Sequence, residues 1–173
     1  YGIIDIAVGE AHGCALTTAG GVKCWGWNLY GQLGDGTTGD GNNRRMAPVD
    51  VIGLASGVTA ISAGGGHTCA LINNGAMKCW GWNLYGQLGD GTTGDTNNKR
   101  LSPVDVINLG VTVSLLSAGT AHTCALTESG SPLCWGDNQS GGIGDNTTVT
   151  KLEPTSVNES GSSFISISSG FHN

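Results

Sequence analysis

An 18-residue string, KCWGWNLYGQLGDGTTGD, occupies residues 23–40 and returns unchanged at residues 78–95, 55 positions later. A looser copy, LCWGDNQSGGIGDNTT, begins at Leu133. Identity at a fixed offset makes the chain an array of one small unit, and such a unit depends on its neighbours to bury its apolar faces. Cys14, Cys69 and Cys124 keep the step of 55, as do Cys24, Cys79 and Cys134, and His12, His67 and His122. Pro48 and Pro103 follow it, but Pro154 comes 51 positions after Pro103, so the third unit is shorter. Carried forward, that shorter step aligns 164–170 with 113–119 and 58–64. The units expected are 1–57, 58–112 and 113–163, with 164–173 as the opening strand of a fourth. Tyr1 in place of an initiator Met, and a stop in mid-unit, read as a segment of a longer polypeptide.

There are 31 glycines in 173 residues and only 12% charged residues, with no stretch of helical apolar period. Short apolar runs bounded by Gly, Asn, Asp and Thr indicate an all-β protein with many turns. No apolar run approaches the roughly 20 residues of a membrane span, and no signal peptide is visible. The net charge of −6 disfavours a nucleic-acid partner, because phosphate binding draws on Lys and Arg.

The middle unit shows the strands most clearly. Residues 58–63, 67–72 and 76–80 read as three strands, the second and third joined by the turn Asn73-Asn74-Gly75. A long polar loop leads to 103–107, read as an edge strand because proline is tolerated there. About four short strands in some 50 residues match the blade of a β-propeller.

The cysteines test the hairpin. If Cys69 faces Cys79, then Leu71 faces Met77, and both pairs project to one side of the sheet because strand side chains alternate. The same rule pairs Cys14 with Cys24 and Cys124 with Cys134. Facing residues are close enough for a cross-strand disulfide, and three local pairs without a leftover favour an oxidising compartment. Two alternatives stand beside this: reduced cysteines as small apolar filler, and zinc held by His67, Cys69 and Cys79 with its counterpart His12, Cys14 and Cys24.

The segments HTCAL, NGAMKCWGWNLYGQLGDGTT and PVDV, followed by LSAGTAH, resemble the regulator of chromosome condensation repeat over essentially the whole chain. The cysteine-bearing form resembles the secreted repeats of that family. The resemblance implies a seven-bladed β-propeller, here present in part or completed by several chains, and protein-binding roles. The third unit departs from the pattern. Asp137 stands where the first two units have Trp27 and Trp82, Ser140 where they have Tyr30 and Tyr85, and Gly142 where they have Gln32 and Gln87.

Trp25, Trp80 and Trp135 read as packing between blades, where one indole covers a large area. Trp27, Tyr30, Trp82 and Tyr85 carry two readings, inter-blade packing or an exposed aromatic patch for a protein or glycan. The repeated histidine reads as a hydrogen-bonded fold residue, since no acid or nucleophile recurs beside it in a catalytic pattern. Asp35 with Asp40, and Asp90 with Asp95, lie in polar loops that could offer oxygen to calcium. They lack the alternating order of a known calcium loop, so turn formation is the main reading and calcium the alternative. The basic pairs Arg44-Arg45 and Lys99-Arg100 read as solvated faces or partners of those aspartates. Asn138, Asn146 and Asn158 begin N-glycosylation triplets, meaningful in a eukaryotic secretory pathway.

These readings describe a non-enzymatic extracellular or cell-surface scaffold that binds protein or glycan, with no cofactor. One alternative is a filament or coat subunit that binds copies of itself by strand exchange through 164–169. The other is an exchange factor for a small GTPase, the role that named the family.

Overall fold

In the computed structural model, residues 2–38, 41–93, 98–159 and 163–170 are described, and they form three four-stranded antiparallel meanders in chain order. The first blade holds β1 (Ile3–Val8), β2 (His12–Thr17), β3 (Val22–Trp27) and β4 (Arg44–Asp50). The second holds β5 (Val58–Ala63), β6 (His67–Ile72), β7 (Met77–Trp82) and β8 (Lys99–Asp105). The third holds β9 (Val113–Ala118), β10 (His122–Thr127), β11 (Pro132–Gly136) and β12 (Lys151–Ser156). The described residues contain no helix, so none is present to cross a membrane.

The register fixes which side chains meet. Cys14 faces Cys24, Cys69 faces Cys79 and Cys124 faces Cys134. Each pair is a disulfide with its Cα atoms 4.1 Å apart. Because the pairs point out of the sheet, they become part of the cores that lie between blades. At the first junction Cys14, Leu16, Leu33 and Val51 of one blade meet Val58, Ile61 and Trp80 of the next. At the second, Cys69, Met77, Leu88 and Val106 meet Val113, Ala125 and Trp135. Close approach depends on glycine at one repeated place. Gly31 and Gly86 have φ of +77° and +75°, and a Cβ there would meet Leu101 or Leu152 of the following blade at 2.6 and 2.5 Å.

Three details of the sequence reading change. The third strand of the middle unit runs Met77–Trp82, two residues beyond Trp80. The fourth runs Lys99–Asp105 in place of 103–107, with Lys99 opposite Trp82 and Pro103 inside it. Val106 leaves the sheet, gives its N–H to the Met77 carbonyl, and fills the core. The third change concerns 164–169, which forms no strand among the described residues. It nevertheless takes the slot of one. Phe164 N–H reaches the Gly130 carbonyl just as Val58 N–H reaches Gly20, and Ile167 sits on the third blade's core. The strand that would pair with its outer edge is missing among the described residues, and this denies it a ladder.

Candidate functional site

At each junction a relay of side chains ties one blade to the next. His12 Nε2 lies 2.8 Å from the Thr68 hydroxyl, which donates to the Gln32 main-chain carbonyl at 2.9 Å. Trp80 Nε1 donates to that same carbonyl at 2.8 Å. The second junction repeats this with His67, Thr123, the Gln87 carbonyl and Trp135. A threonine hydroxyl has one proton, already given to the carbonyl, so each histidine donates through Nε2–H and keeps Nδ1 bare. His12 Nδ1 and His67 Nδ1 are buried without a partner among the described residues. Burial holds the His12 imidazole down at about 4. It holds His67 at about 3, with the neighbouring His12 and His122 adding to the fall. These are neutral structural groups, which fits the reading of the histidine as a fold residue. With all six cysteines in disulfides, no thiolate remains for zinc. No cluster of three metal-ligating side chains occurs among the described residues.

The polar loops after β3, β7 and β11 are held by a second repeated network, of which the sequence reading anticipated the pairing of Arg45 and Arg100 with the loop aspartates but missed the asparagine and threonine. Buried Asn28 accepts the Leu33 N–H and donates to Asp35 at 3.1 Å. Asp35 also takes the Thr37 hydroxyl and N–H, and pairs with Arg45 at 2.9 Å. Burial would raise the Asp35 carboxyl, but the Thr37 and Asn28 hydrogen bonds and the Arg45 charge outweigh it and lower the value. Asn83, Asp90 and Arg100 repeat the arrangement, as do Asn138, Asp145 and Lys151. The Lys151 hydrogen bond leads in holding Asp145 well below the usual carboxylate range. The carboxylates of Asp35 and Asp90 are thus engaged by the protein's own donors. Asp40 and Asp95, the other calcium candidates, lie outside the described residues. The signal was available: Asn28, Asn83 and Asn138 keep the step of 55, as do Thr37, Thr92 and Thr147.

Those loops present the aromatic side chains. Tyr30 stacks on Trp82 across the first junction, with ring centroids 5.5 Å apart, and Tyr85 meets Trp82 edge-on at 5.5 Å. Tyr30 N–H and Tyr85 N–H are held by the Gln32 and Gln87 side chains, which stiffens both turns. Trp27 lies under the Arg44 guanidinium, 5.6 Å from its ring centroid. All four rings are partly exposed, so they present a surface, and the Tyr30–Trp82 stack also serves the junction. The third blade contributes none, because Asp137 and Ser140 replace its rings. Of the three glycosylation triplets, Asn138 is buried in its loop network, whereas Asn146 and Asn158 are exposed.

Three meandering four-stranded leaves joined face to face, with a tryptophan from each later leaf driven into the one before, define a β-propeller repeat scaffold. The chain belongs to the regulator of chromosome condensation (RCC1) repeat family, whose profiles match residues 3–32, 58–87 and 113–141, and 19–71 and 74–126. It is 32% identical over 157 residues to human probable E3 ubiquitin-protein ligase HERC4, covering 91% of this chain and 14% of that protein. It is 34% identical over 151 residues to the ultraviolet-B receptor UVR8 of Arabidopsis thaliana, covering 86% of this chain and 32% of that one. Among solved structures, yeast RCC1 (Prp20) bound to Kap60 superposes with a TM-score of 0.85 at 25% identity, over 99% of this chain and 40% of that one. Human WBSCR16 shares the fold, with a TM-score of 0.80 at 24% identity over 92% of this chain and 40% of that one. The chain therefore spans less than half the length of each of these proteins.

Proposed function

We propose that this chain is a non-enzymatic scaffold working outside the cell or on its surface, which binds a protein or glycan through the aromatic face of its first two blades. The observation that carries the compartment is one buried disulfide at the same place in every blade. Such bonds persist where the surroundings are oxidising. The partly exposed Tyr30–Trp82–Tyr85 row supports the binding face, since Trp and Tyr dominate binding hot spots. The test is labelling of intact source cells with a membrane-impermeant amine-reactive reagent, followed by thiol trapping of the native protein. Labelled protein without free thiols supports the reading, and reduced protein inside the cell overturns it.

One observation favours a second reading, association through the open flanks. Ile3, Ile6 and Met46 are 47%, 59% and 87% exposed. Their counterparts Val58 and Ile61 are 4% and 7% exposed, and Leu101 is partly covered by the first blade. A flank this apolar calls for a further repeat, from the same or another chain. Identical copies cannot stack rigidly while 164–170 stays in place, because Ile167 already fills the position that Ile6 of a second copy would take. Strand exchange would have to release that segment. The mass of the native particle decides: a uniform multiple of 17.5 kDa supports assembly, and a lone copy excludes it. The exchange-factor role draws on the likeness to yeast RCC1, but buried disulfides argue against a reducing compartment.

A further inference from the structure

The sequence has seven Lys and Arg side chains, and five of them are ion-paired to aspartates: Lys23, Arg45, Lys78, Arg100 and Lys151. Arg44 and Lys99 make no ion pair among the described residues. They occupy the same place in successive blades, directly opposite Trp27 and Trp82 across the β3–β4 and β7–β8 pairs. On a chain of net charge −6, the two uncommitted cations therefore stand on the one surface that also shows a row of aromatic rings.

Both cations are held in place. The Arg44 guanidinium lies over the Trp27 ring and gives Nε–H to the Asn42 carbonyl, and the residue is exposed. Lys99 Nζ leans across the junction to the Leu29 carbonyl at 3.4 Å, beside the Tyr30–Trp82 stack. Such positioning lowers the entropy lost when an anion is taken up.

We infer that this face binds an acidic polysaccharide, a chain of sugar rings bearing carboxylates of the uronic acid type. The inference rests on the proposed partner-binding role of the same face. Each of the first two blades offers one aromatic surface and one cation at an equivalent position, so the complementary ligand repeats one ring and one carboxylate. Sugar C–H faces lie on Tyr and Trp rings, and each carboxylate meets Arg44 or Lys99 through charge-assisted hydrogen bonds. The site ends at the third blade, where Asp137 replaces the tryptophan and Thr150 the lysine. Two cations are too few for the counterion release that drives nucleic-acid binding.

The test is calorimetric titration of the intact, oxidised chain with an oligogalacturonate, a neutral galactan fragment of equal length, and a polyglutamate peptide. The expected result is binding of the oligogalacturonate alone, weakened by added salt. Lys99→Gln and Arg44→Gln should each weaken it about three- to fivefold, the worth of an exposed ion pair. Trp82→Ala should weaken it about tenfold, while Lys78→Gln, on a cation paired elsewhere, should leave it unchanged. Circular dichroism and melting of Lys99→Gln separate lost binding from lost folding. Binding of polyglutamate in preference to the sugar, with the same variant pattern, overturns the polysaccharide but keeps the face as a partner site. Failure of the oligogalacturonate to bind, or equal binding of the neutral fragment, overturns the inference outright.

Discussion

Trp80 Nε1 donates to the Gln32 main-chain carbonyl at 2.8 Å, and with its ring fully buried it is the pin of the first blade junction. Trp25, at the same place in the first blade, is partly exposed because no blade precedes it among the described residues. Identical residues in one repeat thus differ in energetic weight through their neighbours alone. Trp80→Ala should cost about 3–5 kcal/mol in urea unfolding, the range for a large buried aromatic. Trp25→Ala should cost well under half of that. Equal losses at the two positions would contradict the junction as described.

The disulfides act mainly on the unfolded chain. Each closes a loop between cysteines 10 residues apart, so each should contribute about 2–3 kcal/mol. The double variant Cys69→Ser, Cys79→Ser should lose about this much, and the intact chain should melt at a lower temperature in reductant. Mass spectrometry of the native chain should show six hydrogens fewer than the reduced form, two per bridge. A native mass equal to the reduced one would remove the disulfides.

Acid should loosen the junctions before it reaches the carboxylates. His12 and His67 are held near 4 and 3, whereas in the unfolded chain they titrate near ~6.5. Between those values the unfolded chain binds more protons, so stability falls as pH falls. Their contribution is complete above ~6.5 and lost as the pH drops through their folded values. For His12 the loss is on the order of 3 kcal/mol. Burial is the cause, and the bare Nδ1 shows why it is costly, since an imidazolium there would bury an N–H without an acceptor. The depressed carboxyl of Asp35 lets go only in a lower window, below the ordinary value near ~3.9. Urea unfolding from pH 7.5 to 4.5 should show a declining midpoint, with a shallower slope in His67→Gln. A flat profile would mean that these histidines protonate without cost.

The 55-residue period made the blades and the cysteine partners legible, because a hairpin register once set on Cys69 and Cys79 dictates every other facing pair. It served less well where tertiary context decides. Pro103 looked like the start of an edge strand, yet the outer strand begins at Lys99, and Val106 after it leaves the sheet to fill a core. The relay through Thr68 and His12 was hidden for a different reason. Its acceptor is the main-chain carbonyl of Gln32, which no side-chain identity announces. The aromatic face was half legible: the rings recur in the sequence, but their stacking across a junction belongs to two units at once.

The three glycosylation triplets are unequal in the fold, and this gives a clean prediction. Asn138 is 1% exposed, and its amide nitrogen donates to Asp145, to the Thr147 carbonyl and to the Val149 carbonyl while its oxygen accepts Ile143 N–H. A glycan on that nitrogen would need the loop network of the third blade to open. Asn146 and Asn158 are exposed, and neither side chain is tied into that network. Produced through a eukaryotic secretory pathway, folded protein should carry glycans at Asn146 and Asn158 and none at Asn138, as read by peptide mapping after release with a peptide N-glycosidase in heavy-oxygen water, which converts each glycosylated Asn to labelled Asp. The variant Asn138→Gln should lose stability by about 1–3 kcal/mol without changing the glycan pattern. Soluble, cooperatively melting protein glycosylated at Asn138 would show that the buried asparagine network is not what holds that loop.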